Sequence, residues 1–151
     1  MKLLSDVNVL LALVAERHAG HTAVRAWWEH LPADTTIHIC RPVQTGLLRL
    51  LCTDAAMGNE ALTLPRAWAV YATLIASGRF ALALEPLGLD AQWEILCRPF
   101  GRSPKVVMDA YLATFALTGG YRLATLDQAF SQFPELNPIV LPPAPPTKQG
   151  T

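Results

Sequence analysis

Charge is scarce in this chain. Lys, Arg, Asp and Glu make up 16% of its 151 residues and divide evenly, twelve basic against twelve acidic. A zero net charge supplies no global field to draw in nucleic acid, so any contact with a polyanion must come from a local basic patch. Cysteine is sparse too: Cys40, Cys52 and Cys97 are odd in number, widely spaced and without a CxxC pair, which argues against a disulfide framework and a cysteine zinc site. Long apolar runs are also missing. "AWAVYATLIASG", between Arg66 and Arg79, is far shorter than the ~20 residues of a membrane helix. The opening run "KLLSDVNVLLALVA" is interrupted by Asp6 and Asn8, which a signal peptide's apolar region would not carry. A cytoplasmic protein with no membrane partner is expected.

Core-forming residues, by contrast, are plentiful. The chain is 52% hydrophobic, its mean hydropathy is +0.27, and its length suits one domain burying about two thirds of its unfolded surface. So much apolar content with so little charge leads us to expect apolar surface covered by a partner, a second copy or another protein.

Local patterning alternates strand and helix. "KLLSD" reads as a strand that gives way to the helix "VNVLLALVAER", and "GHTAVRAWWEHL" as a second helix after the Gly20 break. "TTIHIC" is a β-branched second strand, followed by "PVQTGLLRLLCT", where Pro42 suits a first helical turn. "LTLPRAWAVYATLIASG" is a helix closed by Gly78, "FALALEP" a third strand, and "LDAQWEILCRP" and "SPKVVMDAYLATFALTGG" two further helices. "YRLATLDQAF" starts as a fourth strand, and "NPIVL" is a candidate fifth. Strands separated by helices predict a three-layer α/β/α fold with a central parallel sheet of four to five short strands. Residues 1–141 form the expected domain, and the proline-rich "PPAPPTKQGT", residues 142–151, an expected disordered tail.

Three aspartates stand where apolar residues would be ordinary. Asp6 follows the first strand, Asp127 follows the fourth, and Asp109 lies among Val106, Val107, Met108 and Ala110. Open α/β sheets place their functional crevice beyond the carboxyl ends of the strands, which would bring these acids together. Each has an ordinary explanation taken alone: Asp6 and Asp127 as helix caps, Asp109 as a solvated or paired helix residue. Taken together, converging like charges disfavour the fold unless a cation offsets them. An all-oxygen donor set selects Mg²⁺ or Mn²⁺, which activates water and steadies charge on a phosphoryl oxygen. Asn8 and Thr125 are spaced to orient those carboxylates by hydrogen bonds.

"LLSDVNVLLAL" resembles the opening motif of PIN-domain nucleases, and "DAYLATFALTGGYRLATLDQAF" their closing half, an Asp-led helix followed by a strand and Thr-x-Asp-x-x-Phe. "HTAVRAWWE" and "ICRPVQTGLLRLL" look like the VapC-type toxins of toxin–antitoxin pairs, so the resemblance runs over about residues 1 to 133. It implies a Mg²⁺- or Mn²⁺-dependent endoribonuclease, usually a homodimer, acting on tRNA or rRNA and neutralised by a cognate antitoxin. It also implies metal ligation by Asp6 and Asp109, with Asp127 as a further ligand or water-positioning group. The family's second acidic position, usually Glu, falls near Gln44, and no acid occurs between Asp34 and Asp54. A Gln carbonyl can reach a metal-bound water but brings no charge, so one tightly held ion is expected rather than two.

Other signals are weaker. Arg17, Arg25, Arg41, Arg49, Arg66, Arg102, Lys105 and Arg122 are candidates for a phosphate-binding rim, with solvated surface the ordinary alternative for each. Arg49, on an otherwise apolar helix, has pairing with an aspartate as a further option. The four histidines show no ligand spacing and are expected to be structural or surface residues, and Trp27, Trp28, Trp68 and Trp93 are expected in the core or an interface. A haloacid-dehalogenase-type phosphatase would want a second Asp where Asn8 stands. A receiver domain would need paired acids after the first strand and a late lysine. A PIN-like scaffold that binds RNA or protein without cutting remains the alternative that Gln44 motivates.

Overall fold

The computed structural model describes residues 1–142. Of the expected tail, all but Pro142 lies outside the described residues. Five strands among the described residues form one wholly parallel sheet: β1 (Lys2–Ser5), β2 (Thr36–Ile39), β3 (Phe80–Leu82), β4 (Arg122–Thr125) and β5 (Ile139–Val140), in the order β3-β2-β1-β4-β5. In β1 the last three residues are all buried, as in a strand covered on both faces.

Among the described residues seven helices cover the sheet: α1 (Val7–Val14), α2 (His21–His30), α3 (Arg41–Leu51), α4 (Asp54–Met57), α5 (Leu64–Ala76), α6 (Leu89–Cys97) and α7 (Pro104–Gly119). From β1 to β3 the chain steps across the sheet in one direction, and from β3 to β4 it crosses back. Right-handed crossovers therefore put α1 to α5 on one face and α6 and α7 on the other. The packing agrees: α1 meets α2 and α3, α3 meets α5, and α6 lies against α7.

Pro42, Pro65 and Pro104 each occupy a first helical turn, where the missing N–H costs nothing. Gly120, with φ of 69°, closes α7 in the left-handed conformation that a side chain disfavours. α7 is apolar nearly all round, burying Val106, Ala110, Tyr111, Leu112, Ala113, Phe115 and Ala116, so it is a core helix from which Asp109 departs chemically.

Several expected boundaries move. α1 stops at Val14 and not Arg17, because Ala15 turns into extended backbone. β3 ends at Leu82, short of the expected Glu85 and Pro86. α4 and a 3-10 turn over Gly58–Glu60 occupy a stretch the patterning left without structure. The candidate fifth strand is present, two residues long.

Candidate active site

Strand order locates the functional crevice. β1 and β4 are neighbours, but the chain leaves them on opposite courses, β1 toward β2 and β4 toward β5. Where the winding reverses, the loops part and leave an opening beyond the carboxyl ends of both strands. Asp6 follows Ser5 of β1, and Leu126 and Asp127 follow Thr125 of β4.

Asp6 is 7% exposed and fastened from three sides. Its N–H donates to the Ala124 carbonyl at 2.9 Å. Its Oδ1 accepts the Val7 N–H at 2.7 Å, capping α1, and its Oδ2 accepts the Thr125 hydroxyl at 2.7 Å. Capping and site placement are thus compatible, since each uses a different oxygen. Burial holds the Asp6 carboxyl above the usual carboxylate range; hydrogen bonds from Thr125, Val7 and Asn8 oppose the shift, and the Asp127 charge adds to it.

Thr125 and Asn8 both act as fasteners across the crevice. The Thr125 hydroxyl, besides donating to Asp6, accepts the Asp127 N–H at 3.0 Å. Asn8 Oδ1 accepts the Leu126 N–H at 3.2 Å, tying α1 to the turn after β4. Asp127 is exposed, and its Oδ1 accepts the Ala129 N–H at 2.8 Å, capping the 3-10 turn Gln128–Gln132.

Asp109 projects from the second turn of α7, half-buried. Its carboxyl is likewise held above the usual range, by burial first and then by the charges of Asp127 and Asp6. The charges of Asp6 and Asp127 thus reach Asp109 although 103 positions separate Asp6 from Asp109. Their donor set is oxygen only, and their mutual repulsion is what a hard cation relieves. Among the described residues, however, no three His, Cys, Asp or Glu side chains stand close enough to enclose an ion unaided. The donors fit Mg²⁺ or Mn²⁺ as an acidic edge rather than a finished cage.

Gln44 is buried on the first turn of α3, at 4% exposure. Its Oε1 accepts from the Arg41 guanidinium at 2.5 Å. Arg49 is exposed and forms no ion pair among the described residues, where the salt bridges are Arg25–Glu29 and Arg98–Glu94. The rim candidates scatter: Arg17 donates to the Met57 carbonyl, Arg25 pairs with Glu29, and Arg122 opens β4 at the far edge of the sheet. Of the histidines, His18 and His21 bond backbone atoms of Gly20 and Ala12, consistent with structural use.

Two features escaped the sequence reading. Glu85, read as the tail of a strand, instead follows β3 at the carboxyl edge and accepts the Tyr111 hydroxyl at 2.8 Å. Cys40, which ends the run into α3, lies fully buried near both Asp6 and Glu85; burial pushes its thiol up to about 11, and those two charges add to the rise. A groove of about 620 Å³ lined by Ile95, Leu96, Phe100, Leu117 and Phe133 includes none of the three aspartates.

Comparison with known proteins identifies the family and the fold. A family model described as PIN domain covers residues 3–136. The chain belongs to the PIN-domain family. Ribonuclease VapC41 of Mycobacterium tuberculosis is 47% identical over 135 residues, covering 87% of this chain and 92% of the relative, which places this PIN domain among the VapC proteins. The same fold is found in crystal structures of M. tuberculosis VapC20, a sarcin-ricin loop cleaving toxin (TM-score 0.66, 21% identity, 93% of this chain and 99% of that one), and of VapBC2 from Rickettsia felis bound to a promoter DNA fragment (TM-score 0.71, 14% identity, 94% and 100%). The PIN-domain fold accounts for the three-layer architecture expected from the patterning.

Proposed function

We propose that this chain is a Mg²⁺- or Mn²⁺-dependent endoribonuclease, the toxic component of a toxin–antitoxin pair. What supports the reading is the placement of Asp6 after β1 and Asp127 after β4, both tied to Thr125, with their charges reaching Asp109 of α7. The name of the relative, a ribonuclease, supports the same activity.

Asp6 and Asp109 are the principal candidate ligands, with Asp127 as a third ligand or a group that orients the attacking water. A divalent ion held by Asp6 and Asp109 would supply an acidified water as nucleophile and would offset charge on the phosphoryl oxygens. The protein's share is positional. Thr125 holds the Asp6 carboxylate in one rotamer and Asn8 fixes the turn carrying Asp127. Asp127, the exposed one, is the candidate for receiving a proton from the attacking water.

The partners follow from the same reading: RNA as substrate, tRNA or rRNA by family likeness, a cognate antitoxin, and a second copy of the chain. No helix among the described residues is long and apolar enough to cross a membrane. The exposed apolar residues Leu64, Trp68, Leu84 and Leu87 are surface that a protein partner would cover. A cytoplasmic site of action, where such RNA is found, completes the proposal.

Gln44 favours a second reading, a scaffold that binds RNA or protein without cutting, because it leaves the crevice one carboxylate short. Incubation of total bacterial RNA with the antitoxin-free protein and Mn²⁺ separates the two. Discrete fragments that disappear in Asp6→Asn establish the nuclease, and intact RNA retained on the protein establishes the scaffold.

A further inference from the structure

We propose that Arg41 and Gln44, on the first turn of α3, form a donor pair that binds a phosphate of the RNA backbone beside the acidic crevice. The inference rests on the ribonuclease reading and assigns the substrate-holding part of that site.

A guanidinium has donors only, so its contact with Gln44 fixes which end of the amide faces it. Oε1 is turned to Arg41 Nη1, and Nε2 is turned away. The carbonyl expected to reach a metal-bound water is thereby engaged, and the side chain offers N–H groups instead. Gln44 is 4% exposed overall, but its Nε2 forms no hydrogen bond among the described residues and is not one of the enclosed unpartnered atoms there, so this end of the amide opens to the surface. A donor that opens beside an exposed guanidinium is placed to take an acceptor from outside.

Arg41 supplies the charge. It is exposed, it forms no ion pair among the described residues, and its positive charge is felt at Tyr71 of α5. Three carboxylates occupy the same sheet edge, yet the guanidinium is spent on none of them. Its remaining N–H groups and those of Gln44 make a set of donors with no acceptor among them. Such a set fits an anion with several oxygens, and the planar fork of Arg suits phosphate.

Placement identifies which anion. Cys40 follows β2 as Asp6 follows β1, the two strands are neighbours, and the Asp6 charge reaches Cys40. Arg41 is the next residue. The pair therefore flanks the crevice in which a phosphodiester would be cut, and a neighbouring phosphate of the same strand is the anion within reach. A Glu at position 44 would pair with Arg41 and repel that phosphate, so the exchange of Glu for Gln gives up negative charge near the crevice and gains a hold on the substrate.

The test measures RNA binding without metal, so no cleavage is involved. Fluorescein-labelled oligouridylate is titrated with the full chain in EDTA over a salt series, and binding is followed by anisotropy. Arg41→Ala is expected to weaken binding by about tenfold and to reduce the salt slope by about one phosphate contact. Gln44→Glu, an isosteric change, is expected to weaken it about as much, because the new carboxylate takes the guanidinium. Arg41→Lys is expected to keep the salt slope while losing part of the affinity. Thermal melts check that each variant is folded. Wild-type affinity and salt slope in both Arg41→Ala and Gln44→Glu, or no binding by the wild type, overturns the proposal. A parallel arm with Mn²⁺ reads cleavage: loss of RNA binding in the variants without any wild-type cleavage leaves the pair standing and removes the ribonuclease reading, and cleavage with unchanged binding does the reverse.

Discussion

Thr125 donates its hydroxyl to Asp6 Oδ2 at 2.7 Å, joining the ends of β1 and β4 across the point where the sheet reverses its winding. The same hydroxyl accepts the Asp127 N–H, so one side chain sets the positions of two of the three acids. Thr125→Val keeps the shape and removes both bonds. It is expected to cost about 1 to 2 kcal/mol of stability, to raise the Asp6 carboxyl further, and to move the acid limb of the cleavage–pH profile upward. A thermal melt and a pH–rate profile check the two effects separately.

The raised carboxyls of Asp6 and Asp109 have a defined consequence for stability. A carboxyl whose folded value lies above its unfolded value penalises the folded state wherever it is ionised in both. That penalty is fully present above the folded value and is relieved as pH falls through it toward the unfolded value. Asp6→Asn, which keeps a capping side chain, is therefore expected to melt higher than wild type at pH 7 without metal, with the gap closing near pH 4. Mn²⁺ is expected to raise the wild-type Tm and leave Asp6→Asn nearly unmoved. Melts across pH, with and without Mn²⁺, measure both.

Cys40 is the buried thiol nearest the site, and with its value near 11 it is almost wholly protonated at pH 8. Iodoacetamide at that pH is expected to label Cys52 and Cys97, which are partly exposed, well before Cys40. Peptide mass spectrometry over a time course reads the order.

Gly58 ends α4 with φ of 55° and ψ of −133°, and a Cβ there would strike the Arg17 guanidinium that bonds the Met57 carbonyl. Gly58→Ala is expected to cost roughly 1 to 3 kcal/mol from strain alone. For a domain of this size that is a fall in Tm of several degrees, with cleavage unaffected below the transition.

The patterning made the fold legible because its signals are local: Pro42 in the first turn of α3, Gly78 just past the end of α5, and strands separated by helices along the chain. It misplaced what depends on the rest of the molecule. Glu85 read as strand because it follows the unbroken apolar stretch of "FALALEP", yet β3 pairs with β2 only to Leu82. That Asp6 and Asp127 come near one another, with their charges reaching Asp109, was to be expected only through the rule that parallel sheets place their sites at carboxyl ends. The Arg41–Gln44 contact spans three residues of one helix, a spacing visible in the sequence, but which amide end faced the guanidinium required the side chains.

The proposed role of Asp6, anchoring the metal used to cut RNA, is tested by Mn²⁺-dependent cleavage of total bacterial RNA by antitoxin-free wild type beside Asp6→Asn. Discrete fragments from the wild type, absent with EDTA and absent in Asp6→Asn, are the predicted result. Fragmentation that survives either EDTA or the Asp6→Asn change, or RNA left intact by the wild type with Mn²⁺, would contradict it.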